Sequence, residues 1–207
     1  SGLPVFAIDN PERSRLDGIL RGQFAVSAAG RQAQATGVQP AGALDDLYPY
    51  DGPLGVTWDA GRPTIRVWAP TAQSAALLLF DDSDPATTPS VMPMSEDPAT
   101  GVWSITGSPD WPGKFYLYEV QVFAPTTGQI ETNQVTDPYA LSLSANSARS
   151  QIVDLADPLL QPAGWSELEK PDLPAPEDVV VYELHVRDFS RYDPAVTEDN
   201  RGTFRAF

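Results

Sequence analysis

The chain has 207 residues, 42% of them hydrophobic, which is enough for one large or two small domains with packed cores. Its 28 acidic residues outnumber 13 basic ones, so the net charge of −15 disfavours nucleic acid and anionic membranes while leaving a neutral sugar polymer unaffected. No apolar run approaches the ~20 residues of a membrane span, and the lack of cysteine excludes disulfides, thiolate chemistry and cysteine zinc sites.

Residues 1–50 are predicted to be the end of an upstream domain followed by a linker. Asn10 is placed to cap a short helical turn over 11–19. One strand with no obvious partner is predicted over 23–27, which indicates either the end of the upstream domain or an added edge strand on the sandwich. The segment 44–50 reads as a linker whose leucines and tyrosines dock on a neighbouring surface rather than bind a ligand.

Residues 51–157 predict an antiparallel, immunoglobulin-like β-sandwich. Runs rich in Val, Ile, Leu, Phe and Tyr are separated by Pro and Gly turns, with no helical run between them. The predicted strands cover 64–68, 74–80, 102–106, 115–123 and 129–133. A further short strand is predicted at 151–153, and the fold class is therefore mainly β.

Period-two alternation assigns the faces of these strands. Ile65 and Val67 share one face of their strand. In the strand over 115–123, the even positions Tyr116 and Tyr118, with the two valines that follow them, are the predicted core face. The run 77–80 is apolar on both faces, so it is expected to be a central strand.

The loop after residue 80 carries three acidic residues, Asp81, Asp82 and Asp84. Clustered carboxylates can bind Ca²⁺, but the spacing is not that of an EF-hand. A solvated turn is the favoured interpretation, and no metal site is predicted in this chain.

Residues 158–177 form a predicted proline-rich connector, and 178–207 begin with a different kind of strand. The run 178–186 is almost wholly apolar and β-branched, which is typical of a parallel strand buried on both faces. No second strand follows it, so it predicts the first strand and loop of a truncated α/β domain. An unpaired strand of this kind is expected to pack on its own sandwich or to mediate self-association.

The sequence around this predicted strand resembles the opening strand of the catalytic (β/α)8 barrel in the α-amylase superfamily. The residues that carry the resemblance run from Val181 to Ser190, VYELHVRDFS, and continue at 200–207 as NRGTFRAF. Branching enzymes and isoamylases usually have glycine where Asp188 stands here. Within glycoside hydrolase family 13, the sequence therefore most resembles pullulanase and limit-dextrinase-type starch-debranching enzymes.

Three upstream motifs extend the resemblance in the expected order. Gly37-Val38-Gln39 with 44–48 resembles the approach segment of pullulanases. The run 66–72, RVWAPTA, resembles the signature of a carbohydrate-binding module family 48 sandwich, in which Trp68 is a core residue. The run 137–142, DPYALS, with 148–150 and 153–155, resembles the segment that leaves that sandwich.

The resemblance implies a parent enzyme that cleaves α-1,6-glucosidic branch linkages in pullulan, amylopectin or limit dextrin. Its retaining mechanism uses an Asp nucleophile, a Glu general acid/base and a second Asp, all at the ends of later barrel strands. The chain ends just after the first strand, so it is expected to contain no catalytic residue and to be inactive alone. Its expected partners are an α-glucan and the rest of the barrel; it needs no cofactor itself, and calcium is an option only for the absent barrel. The alternative is a stand-alone α-glucan-binding module or scaffold.

Exposed aromatic rings would be the physical basis for glucan binding, because sugar C–H faces stack on flat rings. The candidates are Trp111, Trp103 and Tyr116. Trp111, beside Pro112 and Gly113, is the one most expected to be exposed, whereas packing in the core competes as an interpretation for Trp103. The aromatic residues of glycogen-binding family members are missing from 81–84 and 128–130, which favours a sandwich that mainly supports the barrel.

His185 and Arg187 share one face of the predicted barrel strand. A lone histidine in a buried strand is more often a core residue with satisfied hydrogen bonds than a substrate contact. Arg187 and Asp188 are predicted to form a buried or strand-end ion pair.

Overall fold

The computed structural model describes residues 13–22, 25–28, 34–37 and 41–207. The chain divides into two compact units, Ser1–Leu160 and Gln161–Phe207, and each is described by itself. The predicted cap Asn10 and the first two residues of the predicted strand over 23–27 lie outside the described residues. No helix in the described ranges is long and apolar enough to cross a bilayer.

The first unit begins with a helix and a hairpin. Helix α1 spans Arg13–Leu20, and strands β1 (Ala25–Ala28) and β2 (Gln34–Gly37) pair antiparallel. The prediction that the first strand has no partner is therefore wrong. Its partner lies in an Ala- and Gln-rich stretch with too few apolar residues to indicate a strand.

Helix α2 (Ala41–Leu47) lies in the segment predicted to be a linker. A seven-residue helix is too short to be stable alone, so its stability depends on packing of the residue that follows it. That residue, Tyr48, is almost fully buried. The prediction that this segment docks through its apolar residues is confirmed for Tyr48.

Nine strands build the sandwich. They are β3 (Gly55–Asp59), β4 (Arg62–Trp68), β5 (Ser74–Phe80), β6 (Ser90–Pro93), β7 (Ser95–Asp97), β8 (Val102–Thr106), β9 (Phe115–Ala124), β10 (Gln129–Val135) and β11 (Ser150–Gln151). One sheet has the order β3-β4-β8-β7, and the other has the order β10-β9-β5-β6. All pairs are antiparallel, which confirms the predicted fold class.

Strand β11 pairs with the first residues of β9, and β10 pairs with the rest of β9. Since β5 occupies the other side of β9 along the same residues, β10 and β11 extend the same sheet edge one after the other. This arrangement brings the chain around Asp137 back toward the core, because that residue lies between β10 and β11.

The core lies between the two sheets and follows the predicted alternation. Ile65 and Val67 of β4 face Leu77 and Leu79 of β5 together with Tyr116 and Tyr118 of β9 in one buried cluster. Strand β5 lies between β9 and β6, which confirms that it is a central strand. Its last four residues, which alternate between the two faces, are all buried. Three strands, β3, β6 and β7, were not predicted, because they are short, lie toward the sheet edges and contain Gly, Pro, Ser and acidic residues.

Short helical turns dominate the rest of the chain. In the first unit they are Ala145–Ser147 and Pro158–Leu160; in the second they are Trp165–Glu167, Pro176–Asp178, Glu198–Asn200 and Phe204–Ala206. The second unit also contains helix α3, Val186–Ser190.

The segment over 178–186, predicted as a strand buried between neighbouring barrel strands, does not form a strand in this chain. Residues 179–185 are irregular and lead directly into α3. The three valines at 179–181 are exposed, Val180 to 92% and Val181 to 84%. A strand of this composition forms only between neighbouring strands that supply its hydrogen bonds. The predicted packing of this strand on its own sandwich or on a second copy required a strand. Because no strand forms here, that prediction has no support.

Candidate functional site

The three aromatic residues predicted to bind glucan lie in the sandwich core. Trp111 and Trp103 are each 7% exposed, and Tyr116 is 0% exposed. A ring in the core cannot offer a face to a sugar, so the prediction that Trp111 is exposed is wrong. The indole N–H of Trp103 donates to the Ala69 carbonyl at 3.1 Å, which adds a hydrogen bond to its packing.

Trp111 is held over a glycine that sequence reasoning did not consider. A β-carbon on Gly107 would lie 2.2 Å from the Trp111 ring, so the indole occupies the space that any side chain at 107 would need. The turn between β8 and β9 therefore folds inward and carries its tryptophan into the core. A tryptophan in a polar turn is exposed only if the turn points toward solvent, and this turn points toward the core.

A buried cluster of polar groups, which we call the Asp137 cluster, lies near the start of β9. Asp137 is 4% exposed, and its Oδ2 accepts hydrogen bonds from the hydroxyls of Tyr116 at 2.6 Å and Tyr118 at 3.0 Å. Its Oδ1 accepts from the backbone N–H of Tyr139 at 2.8 Å, and its own N–H donates to the Ser150 hydroxyl at 2.8 Å. The cluster ties β9 to the Asp-Pro-Tyr segment after β10.

The Asp137 cluster predicts sensitivity to alkaline pH. Burial, and then the negative charge of Asp137, raise the pKa of Tyr116 and of Tyr118 above the ordinary 10.0. Above pH 10 the unfolded chain releases these protons while the native state keeps them, so the free energy of unfolding falls as pH rises. We expect a slope that reaches about 2.7 kcal/mol per pH unit for the two phenols.

Urea denaturation between pH 9 and pH 11.5 measures this slope. The double variant Tyr116→Phe/Tyr118→Phe is the control, since it removes both titrating groups and should follow a shallower curve. Parallel curves for the two proteins would contradict the prediction.

Four aromatic residues of the first unit meet in a surface groove of about 370 Å³ that we call the Trp68 groove. Tyr139 is exposed, Trp68 and Tyr50 are half-buried, and Tyr48 is buried. The groove lies between the end of α2, the start of β3, the end of β4 and the Asp-Pro-Tyr segment. Its lining residues are Asp45, Tyr48, Pro49, Tyr50, Asp51, Leu54, Trp68 and Tyr139.

Trp68 lies on the solvent side of β4. It is the last residue of the strand and alternates with the core residues Ile65 and Val67, so it is half-buried rather than a full core residue. Its indole N–H donates to the Tyr48 carbonyl at 3.1 Å, which fixes the orientation of the ring. The hydroxyl of Tyr48 in turn donates to the carboxylate of Asp17 in α1.

Tyr50 and Tyr139 complete the aromatic lining. The Tyr50 hydroxyl donates to the Pro53 carbonyl at 3.2 Å, and the ring folds over Gly52, where a β-carbon would lie 2.4 Å from the hydroxyl oxygen. Tyr139 is 46% exposed, and its backbone is held by Asp137 and packs closely against Gly55, which has a φ of +75°. Glycine is favoured at 55 both by that φ and by the contact.

Sequence reasoning missed this groove. The sequence predicts Tyr48 and Tyr50 as anchors and Trp68 as a core residue, and it assigns Tyr139 to a motif without a contact. The alternation along β4 was the available signal for Trp68, since it places residue 68 opposite the core positions. The convergence of four distant segments has no signature in the sequence.

The acidic loop after β5 is organised by local hydrogen bonds. The Asp82 carboxylate accepts from the Thr87 hydroxyl at 2.6 Å and the Asp84 N–H at 2.9 Å, and these bonds lower the pKa of Asp82. The buried Arg149 donates to the Asp82 carbonyl at 2.8 Å and lies 3.7 Å from the centre of the Phe80 ring. The described residues bring together no acidic or histidine cluster of metal-binding geometry.

In the second unit, His185 and its neighbours are exposed and form local contacts. His185 Nδ1 accepts from the Asp188 N–H at 3.4 Å, so it caps α3. Arg187 Nε lies 3.3 Å from the Asp188 carboxylate, so the predicted pair forms. Its predicted location is wrong, because both side chains are exposed and lie in α3 rather than being buried or at a strand end. An exposed pair of this kind contributes little to stability.

Two family models match the chain, one after the other. Residues 1–46 match the pullulanase N2 domain, and residues 53–140 match carbohydrate-binding module 48, the isoamylase N-terminal domain. The second range covers the sandwich from just before β3 to the Asp-Pro-Tyr segment. Together the two matches define the class, an N2 domain followed by a carbohydrate-binding module 48 sandwich.

Relatives of known identity refine this class. The chain is 40% identical over 194 residues to pullulanase 1, chloroplastic, from Arabidopsis thaliana, which covers 91% of this chain and 20% of the relative. It is 38% identical over 206 residues to pullulanase from Klebsiella pneumoniae, which covers 95% of this chain and 19% of the relative. By these matches the chain corresponds to part of the N-terminal region of pullulanases.

A solved structure supports the same assignment. The crystal structure of Klebsiella pneumoniae pullulanase complexed with maltotriose matches with a TM-score of 0.81 at 37% identity. The match covers 96% of this chain and 19% of that chain. The chain thus spans about a fifth of the length of the curated relatives described above.

Proposed function

We propose that the chain is the non-catalytic, α-glucan-binding N-terminal portion of an enzyme that hydrolyses α-1,6-glucosidic branch linkages. The observation that carries this proposal is the succession of an N2 segment and a carbohydrate-binding module 48 segment at 37–40% identity to pullulanases. Pullulan, amylopectin and limit dextrin are the proposed substrates of the whole enzyme.

The chemistry of the described carboxylates supports a non-catalytic role. Retaining glycosidases place two carboxyl groups about 5 Å apart on either side of the scissile bond. Among the acidic residues that the structure describes, Asp137 is the buried one, and both of its oxygens accept hydrogen bonds from the protein itself. A carboxylate engaged in this way holds the fold together and is not free to attack a sugar.

Binding of a neutral glucan also agrees with the charge of the chain. A net charge of −15 repels polyanions but has no such effect on a neutral polysaccharide. The structural relative from Klebsiella pneumoniae is described as a complex with maltotriose, an α-glucan oligosaccharide. The same ligand class is therefore proposed for this chain.

Two measurements on the 207-residue chain test the proposal. With pullulan as substrate, we expect no release of reducing sugar above a heat-treated control. In native gels containing amylopectin, we expect retardation relative to gels without it. Hydrolysis by this chain would contradict the non-catalytic assignment, and unchanged mobility would contradict α-glucan binding.

The coding sequence downstream of Phe207 separates an enzyme portion from a stand-alone module. A pullulanase-type parent should encode a barrel of about 250 residues that supplies the Asp nucleophile, the Glu acid/base and the second Asp. A reading frame that stopped without them would favour the stand-alone module.

A further inference from the structure

We propose that the Trp68 groove is a binding subsite for a short, linear segment of α-glucan. The inference rests on the proposed α-glucan-binding function and gives that function a location. The residues that line this groove are proposed as glucan contacts in place of Trp111, Trp103 and Tyr116, which are buried.

The dimensions of the groove suit a small ligand. Its volume of about 370 Å³ lies within the ~300–1,000 Å³ that is common for ligand pockets. It also lies where the two matched family segments meet, because Asp45 belongs to the N2 segment and Trp68 and Tyr139 belong to the sandwich segment. Junctions between domains are frequent positions for ligand sites.

Three partly exposed rings give the groove faces on which the C–H surfaces of glucose units can stack. These rings belong to Trp68, Tyr50 and Tyr139. Side-chain hydrogen bonds hold Trp68 and Tyr50, whereas Tyr139 is held through its backbone N–H. The hydrogen bonds of the Trp68 indole and the Tyr50 hydroxyl fix two of them before a ligand arrives. Rings that are already oriented lose little conformational freedom on binding, which favours affinity.

The polar groups at the rim match sugar hydroxyls. Asp45 and Asp51 are exposed carboxylates, which only accept hydrogen bonds, and a glucan offers hydroxyl donors at every unit. Among the described residues that line the groove there is no lysine or arginine, so these residues offer no counter-charge to an anionic ligand. The remaining competitor is an organic cation, which could lie over the rings beside the carboxylates.

Isothermal titration calorimetry of the 207-residue chain with maltotriose tests the subsite. Tyr139→Ala removes one stacking face from an exposed position, and we expect it to weaken binding about tenfold. Tyr139→Phe keeps the ring and should stay within about twofold of the wild type. The matched control is Tyr192→Ala, an exposed tyrosine outside the groove, and it should leave the affinity unchanged.

A second variant perturbs the groove without removing a ring. In Gly52→Ala the new methyl group occupies the position of the Tyr50 hydroxyl end, so the ring must swing away from Pro53. The displaced atoms are the far end of a side chain, so the fold should be retained, which far-UV circular dichroism checks. We expect about threefold weaker maltotriose binding.

The outcomes separate the subsite from the function. If the wild type binds maltotriose and both Tyr139→Ala and Gly52→Ala bind equally well, the location is overturned while α-glucan binding stands. If the wild type binds neither maltotriose nor amylopectin, the proposed function itself fails. If tetramethylammonium binds and Tyr139→Ala abolishes that binding while maltotriose does not compete, the groove is a cation site and the proposal is overturned.

Discussion

Asp137→Ala is expected to lower the free energy of unfolding by about 3–5 kcal/mol, measured by urea denaturation followed by circular dichroism. The substitution removes the acceptor for the Tyr116 and Tyr118 hydroxyls and for the Tyr139 N–H. Hydrogen bonds to a charged group contribute about 1.5–3 kcal/mol each, and a buried donor without a partner bears its full desolvation penalty. The Arg66 carbonyl, 3.4 Å from the Tyr118 hydroxyl, offers only partial replacement.

Two controls make this result specific to the Asp137 cluster. Asp59→Ala removes an exposed carboxylate at the β3–β4 turn, and it should change the unfolding free energy by less than about 0.5 kcal/mol. Asp137→Asn keeps one acceptor oxygen but not both. Its decrease in unfolding free energy should therefore lie between the decreases for Asp59→Ala and Asp137→Ala. An Asp137→Ala protein within about 1 kcal/mol of the wild type would show that the buried hydrogen bonds contribute little.

Trp111→Ala is expected to lower the free energy of unfolding by about 3–5 kcal/mol. The indole fills space in the core beside Gly107, and its removal leaves a cavity that the surrounding sheets cannot close. Loss of amylopectin retardation in this variant would therefore report loss of folded protein, so binding must be measured on the folded fraction.

Trp165→Ala is the matched control for Trp111→Ala. Trp165 is 59% exposed in the second unit, and its substitution should change stability by less than about 1 kcal/mol. A Trp111→Ala protein that is as stable as the wild type but no longer binds amylopectin would restore Trp111 as a direct glucan contact. That outcome would also contradict the buried position of its ring.

The prediction of the sandwich succeeded where local pattern and burial agree. Alternation in β4 and β9 placed Ile65, Val67, Tyr116 and Tyr118 on the core face, and the boundaries of β5 and β8 were predicted correctly. Short edge strands and α2 were missed, because their few apolar residues produce no period. The motifs at 66–72 and 137–142 indicated the resemblance to pullulanases before the fold was known.

The candidate site depends on distant contacts that no local pattern contains. Trp111 follows a polar turn in the sequence, but the direction of that turn is set by packing against Gly107. The Trp68 groove joins residues from the end of α2 to the Asp-Pro-Tyr segment, and the Asp137 cluster holds the last of them in place. Only folding brings these side chains together.

The sequence by itself determined the class of fold, the core face of the main strands, the charge by which the chain repels polyanions, and the resemblance to pullulanases. The tertiary structure decided which aromatic rings face solvent and left the segment over 178–186 without the form its composition predicts. The physical reason is that alternation and charge are properties of neighbouring residues along the chain. Exposure of a ring and pairing of a strand depend on which distant residues fill the space beside them.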